Sequence, residues 1–216
     1  ALLSRDNVGL ADSRRIVRLL AADSAVMTVF PLLVRQMAKD APNASIELNP
    51  LSGVFLEQLR AGRADIAVYP LDTVPKDFQG HPLIKKYEKA GRIELDDLRA
   101  FKHVMMNLPG TPELSPAAYQ QYAFEVGISL PYFLGVPYVL ADTDYVYIGP
   151  VVTLMHCLRL PDCNLRVLPA PPEVSPFTPA IIWHHGAHTD PFLQWVRGVL
   201  LQSAREEAKR YNAIEI

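Results

Sequence analysis

Leu59-Arg60-Ala61-Gly62-Arg63-Ala64-Asp65-Ile66-Ala67-Val68-Tyr69 reads as the end of a helix followed by a complete strand. Upstream, Val54, Phe55, Leu56 and Leu59 recur as one apolar helix face. Gly62 stops that helix, because glycine enters the left-handed region at a helix C-terminus without steric cost. Ala64 to Tyr69 is then an almost continuous apolar run, as in a parallel strand covered on both faces.

The segments before this stretch have the same grammar. Arg15 to Ala22 reads as a buried strand. Met27, Phe30, Leu33, Val34 and Met37 then recur at helical spacing, with Asp23 or Ser24 as the natural N-cap. Ala41-Pro42-Asn43 ends that helix, and Ser45 to Pro50 alternates as a strand should. Strand–helix–strand–helix–strand implies right-handed crossovers onto one parallel sheet.

A second α/β region starts near His81-Pro82. Helices are expected over Pro82–Ala90, from Ser115-Pro116 through Phe124 with Gly127 as the stop, over Pro131–Leu140 and over Val151–Leu158. Strands are expected over Lys102–Asn107, Ile128–Leu130, Tyr145–Ile148 and Leu165–Leu168. Pro169 to Pro179 reads as a connector and Ala180 to His184 as a returning strand. Asp190-Pro191 opens a final helix whose apolar face is Phe192, Trp195, Val196, Val199 and Leu200.

The 216 residues are half hydrophobic and one-fifth charged, with a formal net charge of −2. No Lys/Arg cluster is dense enough to displace DNA counterions; Lys85-Lys86 with Lys89 reads as a solvated face. No apolar stretch approaches the roughly 20 residues that span a bilayer, and the start carries no secretory pattern. Two cysteines make no disulfide framework and point to a reducing cytoplasm. Gly-rich phosphate loops, a G-x-S-x-G elbow and zinc spacings are missing, so no enzyme and no cofactor is expected.

Several motifs, taken in order, resemble the regulatory domain of LysR-type transcriptional regulators. They are Ser13-Arg14-Arg15 at the entry, Ala22-Asp23-Ser24 followed by Phe30-Pro31-Leu32-Leu33, and Ala41-Pro42-Asn43-Ala44-Ser45-Ile46. Leu59 to Ala67 resembles the family's "L..G..D.ai" signature. His81-Pro82-Leu83 and Leu140-Ala141-Asp142-Thr143-Asp144 resemble two further marks. Trp183-His184 with Asp190-Pro191-Phe192-Leu193-Gln194-Trp195-Val196-Arg197 resembles the ending of the branch that holds nodulation regulators and salicylate- or nitroaromatic-responsive regulators.

The resemblance implies an α/β fold of two Rossmann-like lobes joined by crossover strands, type II periplasmic-binding-protein-like. Residues 1–13 would end a linker from an absent winged helix-turn-helix head. Residues 14–78 with 177–216 would form lobe I, and 79–176 lobe II. The implied function is effector sensing: a small, aromatic molecule binds between the lobes and alters a DNA-bound oligomer. The domain would form a homodimer and the intact protein a homotetramer on promoter DNA. Two departures stand out. Phe78–His81 is too short for the family's hinge strand and its turns. Gly186 stands where the branch often has Arg, which makes a carboxylate effector less secure.

Strand ends and helix starts line the cleft of such a fold. Ser24 is read both as a cap and as an effector contact, with the backbone N–H groups from Ala25 onward as anion or polar-group donors. Ser52-Gly53, Asn107 and Gly149-Pro150 are further candidates at strand ends. Pro131-Tyr132-Phe133 offers two aromatics that either stack on a planar effector or pack in the core. His184 either contacts effector or bonds a backbone carbonyl. A metal at His184, His185 and His188 is disfavoured, because adjacent residues of a strand face opposite ways. Cys157 and Cys163 are read as structural thiols, with redox sensing as a minor alternative. A periplasmic solute-binding protein of the same fold is the main alternative.

Overall fold

The computed structural model describes residues 9–70, 75–82, 93–107, 116–151, 154–155, 158–159, 165–174 and 179–212. The chain divides into two compact units. One comprises Ala1–Lys85 with Thr178–Arg210, the other Lys86–Phe177 with Tyr211–Ile216.

The first unit runs β1 (Ile16–Ala21), α1 (Ser24–Thr28), α2 (Phe30–Asp40), β2 (Ser45–Pro50), α3 (Phe55–Arg60), β3 (Ile66–Pro70) and β4 (Phe78–Pro82). The second unit follows with α4 (Leu95–Arg99), β5 (Lys102–Met106), α5 (Pro116–Gln121), β6 (Glu125–Leu130), α6 (Val136–Ala141) and β7 (Val146–Tyr147). The chain returns to the first unit through β8 (Pro179–His184) and α7 (Pro191–Asn212). The first sheet has the order β2-β1-β3-β8-β4. β1 pairs in parallel with β2 and β3, whereas β8 runs antiparallel to β3 and β4.

Alternate residues of each central strand serve two cores. Leu19, Ile66 and Ile181 face one side, with Phe30, Leu33 and Met37 of α2 and Val196, Val199 and Leu200 of α7. Leu20, Ala67 and Ile182 face the other side, with Phe55 and Leu59 of α3. This two-sided burial is why the strands read as apolar runs. Each large apolar side chain so buried stabilises the fold by about 1.5–3 kcal/mol.

The stretch around Gly62 closes as its sequence demands. Gly62 has φ +64°. Its N–H donates to Leu59 O and the Arg63 N–H to Gln58 O, which satisfies the last carbonyls of α3. Asp65 then locks the start of β3 to β1. Its N–H donates to Arg18 O (2.8 Å), and its carboxylate accepts the Arg18 N–H (2.7 Å). The carboxylate thus takes the place of a ladder carbonyl where β3 has not yet begun.

Two expectations change in this unit. The helix over Met27–Met37 is broken at Val29, and no side chain caps α1. Pro31 sits in the first turn of α2 and has no N–H to bond the Met27 carbonyl. Phe78–His81 is not too short for a strand: it belongs to β4, whose pairing with β8 runs from Phe78↔His184 to Pro82↔Ala180.

The second unit has a parallel sheet of order β6-β5-β7. Leu98, Met105, Tyr119 and Phe124 form a core on it. Fully buried His103 stacks on Phe124 (4.2 Å between centroids), and its Nε2 donates to Leu98 O (2.9 Å). The helix expected to run to Gly127 ends earlier. Ala123 takes the left-handed conformation (φ 57°), with its N–H donating to Gln120 O and the Phe124 N–H to Tyr119 O. Gly127 instead lies within β6, at the register shift opposite His103/Val104. There a Cβ would stand 2.5 Å from the Tyr145 ring, so the bulge needs glycine. The helix expected from Pro131 begins later, as a 3-10 turn over Phe133–Gly135 leading into α6. Leu165–Leu168 is not a strand. The helix expected over Pro82–Ala90 lies outside the described residues beyond Pro82.

Candidate ligand-binding strand ends

Parallel strands deliver their C-terminal ends to one edge of a sheet, so strand direction sets where the candidate residues lie. In the first unit Ala21 and Pro50 are register partners, so the turns after β1 and β2 leave the sheet side by side. Ser24-Ala25 lies after β1 and Ser52-Gly53 after β2. In the second unit Met106 pairs with Leu130, which sets Asn107 beside Pro131-Tyr132-Phe133. The Asn107 N–H donates to Leu130 O (2.9 Å), and its side chain is exposed. Gly149-Pro150 follows β7. The Tyr147 ring lies where a Cβ on Gly149 would be. The Pro150 carbonyl accepts the Leu154 N–H and starts a helical turn.

The Ser52 hydroxyl is the distinctive polar group of the first edge. Its oxygen is buried and has no hydrogen-bond partner among the described residues. Its backbone carbonyl accepts the Phe55 N–H, which fixes the turn into α3. A buried unpaired hydroxyl costs about 1–3 kcal/mol, which a ligand group can recover.

Other candidates are corrected by their surroundings. The Ala25 and Val26 N–H groups already donate to Ala22 O and Asp23 O, so those donors are committed to the turn. The Ala25 side chain is buried in the core. Phe133 is 2% exposed and packs edge-on against Tyr147, which makes it a core ring; Tyr132, 58% exposed, is the aromatic available at that strand end. His184 does not share the edge of Ser24 and Ser52. β8 runs antiparallel, so its last residue is level with Arg18 and Asp65, about 10 Å back from the end of β1. There its Nδ1 accepts the Gly186 N–H and its ring packs edge-on against Phe78.

The other histidines hold the turn after β8. His188 Nδ1 accepts the Trp183 Nε1–H (3.3 Å). Arg197 lies 4.5 Å from the Trp183 ring and donates to the Ala187 and His188 carbonyls. His185 Nδ1 lies 3.2 Å from Asp77 O. Arg60 grips the Asp77 carboxylate (2.6 Å) and, through that hydrogen bond, holds its pKa below the ordinary value. Among the described residues no group of three His, Cys, Asp or Glu is placed to hold a metal. Cys157 and Cys163 lie outside the described residues. No described helix is long and apolar enough to cross a membrane.

Sequence reading overlooked Asp65, whose clamp on β1 supports the first edge. Its signal was the single acid interrupting an apolar strand. Reading also missed the antiparallel run of β8, for which a six-residue apolar strand holds no local signal.

The fold agrees with what the chain is similar to. Residues 11–205 match the family model described as the LysR substrate binding domain. Nodulation protein D 1 of Rhizobium meliloti (strain 1021) is 26% identical over 94% of this chain and 70% of its own length. Nodulation protein D 1 of Rhizobium tropici is 27% identical over 89% of this chain and 66% of its own. The chain thus spans about two thirds of the length of these relatives. The crystal structure of the regulatory domain of MexT, a transcriptional activator in Pseudomonas aeruginosa, superposes with a TM-score of 0.71. It is 20% identical and covers 88% of this chain and 98% of its own. The reduced regulatory domain of OxyR2 from Vibrio vulnificus gives a TM-score of 0.67, at 16% identity over 88% and 97% of the two chains. At that identity the structures show the fold, which is the type II periplasmic-binding-protein-like α/β fold. The alternative of a periplasmic solute-binding protein gains no support from them. The chain belongs to the LysR substrate-binding domain family, the effector-binding module of LysR-type transcriptional regulators.

Proposed function

We propose that this domain senses a small aromatic molecule at the C-terminal ends of its parallel strands. The groups proposed for contact are Ser24 and Ser52 in the first unit and, in the second unit taken by itself, Asn107, Tyr132 and the Gly149-Pro150 backbone. The observation that carries this reading is the Ser52 hydroxyl, buried at the end of β2 without a partner among the described residues. Exposed Asn107 and Tyr132 add an amide and a ring at the strand ends of the second unit. Binding acts on transcription through population shift in a larger assembly, whose DNA contacts lie in a head outside this chain. The chain is proposed to be non-catalytic, to work in the cytoplasm and to leave its effector unchanged.

The test is a thermal-shift screen of aromatic compounds. A true effector at 100 times its dissociation constant adds about 2.7 kcal/mol. Ser52→Ala should leave the apo protein as stable or more stable, since it deletes an unpaired hydroxyl, while lowering affinity. A panel without a stabilising compound, or full affinity in Ser52→Ala, rejects the reading.

Self-association into a homodimer, and a homotetramer in the intact protein, is part of the proposal. Val26 of α1 and Val34 of α2 are 46% and 55% exposed, apolar surface that a second copy would cover. Sedimentation at high concentration should show a dimer that Val34→Glu dissociates; a strict monomer refutes this part.

A further inference from the structure

The short helix that follows Ser52 is held unequally at its two ends. α3 has six residues, too few to be stable alone, because a helix nucleus is costly and its turns form and melt together. Phe55 and Leu59 anchor its buried face in the core shared with Phe78. Its C-terminal end is tied down further. The Gly62 and Arg63 N–H groups donate to the Leu59 and Gln58 carbonyls. Arg60 donates to both carboxylate oxygens of Asp77 (2.6 and 3.2 Å), and its guanidinium lies 4.9 Å from the centre of the Phe78 ring. The Asp77 carbonyl accepts the His185 N–H (3.2 Å), and Phe78 opens β4 opposite His184, the last residue of β8. This clamp joins α3 to the strand on which the chain leaves the first unit and to the strand on which it returns. The N-terminal end has less. Val54 stands at the N-cap and supplies no side-chain cap, and the Ser52 turn is closed by the Phe55 N–H on the Ser52 carbonyl (3.1 Å).

We propose that Arg60 and Asp77 are positioning residues for the effector contact at Ser52. From the far end of α3 they set the turn that carries the Ser52 hydroxyl, and a change at Ser52 is felt where β4 meets β8. This rests on the small-molecule reading above and adds the regulation of the same site. The pair acts through α3 and touches no effector. Both side chains are partly exposed, so the ion pair contributes little to global stability. Its effect is local, because Phe55 and Arg60 are separated by only about 8 Å of helix. Over so short a helix, a loss at the anchored end loosens the uncapped end as well. Coupling between two places is reciprocal, so it can be read from either side.

The experiment is residue-resolved amide hydrogen exchange on this chain without ligand. Arg60→Ala and Asp77→Ala should each speed exchange of the Phe55 amide at least about fivefold. The double variant should be no faster than the single ones, since each removes the same contact. The Leu193 amide, held by Asp190 at the start of α7, should not change. From the other side, Ser52→Val, which replaces a buried hydroxyl by two methyl groups, should shift exchange of the His185 amide and leave Leu193 unchanged. A clamp that only tacks down the last turn would speed the Ala61 amide, which donates to the Glu57 carbonyl, and leave Phe55 protected; that pattern overturns the proposal. Additive single variants overturn it too, as does a His185 amide indifferent to Ser52→Val. Equal acceleration at Phe55 and Leu193 marks a general loss of stability and also overturns it. Each of these results is obtained without a ligand and leaves the small-molecule reading standing, which fails separately if the thermal-shift screen finds no stabilising compound.

Discussion

Replacing Asp65 by alanine removes the carboxylate that accepts the Arg18 N–H at 2.7 Å. That N–H belongs to β1, which lies between β2 and β3, and ladder pairing to β3 begins only one residue further on, at Leu19↔Ile66. Without Asp65 the donor loses its partner at the margin of the sheet. A hydrogen bond to a charged group contributes about 1.5–3 kcal/mol. The half-buried setting places the expected loss near 2 kcal/mol, and for a protein of this length each kcal/mol lowers the melting point by about 2–4 °C. Asp65→Asn keeps the shape and a neutral acceptor, so it should lose about half as much. Urea denaturation gives the stability, and hydrogen exchange at the Arg18 amide gives the local readout that a general packing defect would not single out. Asp65→Ala within about 0.5 kcal/mol of the parent, with the Arg18 amide still protected, would refute the clamp.

Three further outcomes are expected. Burial lowers the pKa of His103, the Leu98 carbonyl opposing it weakly, so the unfolded chain binds the proton first as pH falls through the ordinary value of 6.5. Stability should therefore decline below that pH with a slope of at most about 1.4 kcal/mol per unit, levelling off at the lower folded pKa, and His103→Phe should flatten the profile in urea titrations. Ala123→Gly should stabilise by about 0.5–1 kcal/mol, because it relieves a left-handed alanine, and a lower urea midpoint would contradict this. Asp190→Ala should cost about 1–2 kcal/mol in calorimetry, through loss of the cap on the Leu193 N–H (3.0 Å) and of the Arg15 pair. Burial works against ionisation of Asp190, but the Leu193 N–H and Arg15 outweigh it and hold its pKa below 3.8, so this contribution is present above that pH and lost as pH falls below it.

The sequence alone determined most elements of the first unit and their order. Apolar runs long enough for strands but too short for helices identify β1, β3 and β8, alternation identifies β2, and Gly62, Pro42 and Asp190-Pro191 mark helix ends and the start of α7, because turn chemistry and the burial pattern of a strand are written locally. The strand ends carrying Ser24, Ser52 and Asn107 followed from that order. What depends on contacts distant in sequence was decided only by the tertiary structure. Phe133 and Tyr132 are adjacent and chemically alike, yet packing against Tyr147 buries one ring and leaves the other exposed. His184 was displaced from the candidate edge by the direction of β8, which is set by its pairing with β3 and β4. Ala123 replaced Gly127 as the helix stop because the bulge opposite His103 claims the glycine. Local propensity fixes where a strand lies in the sequence, whereas its direction and the burial of its neighbours are properties of the sheet it joins.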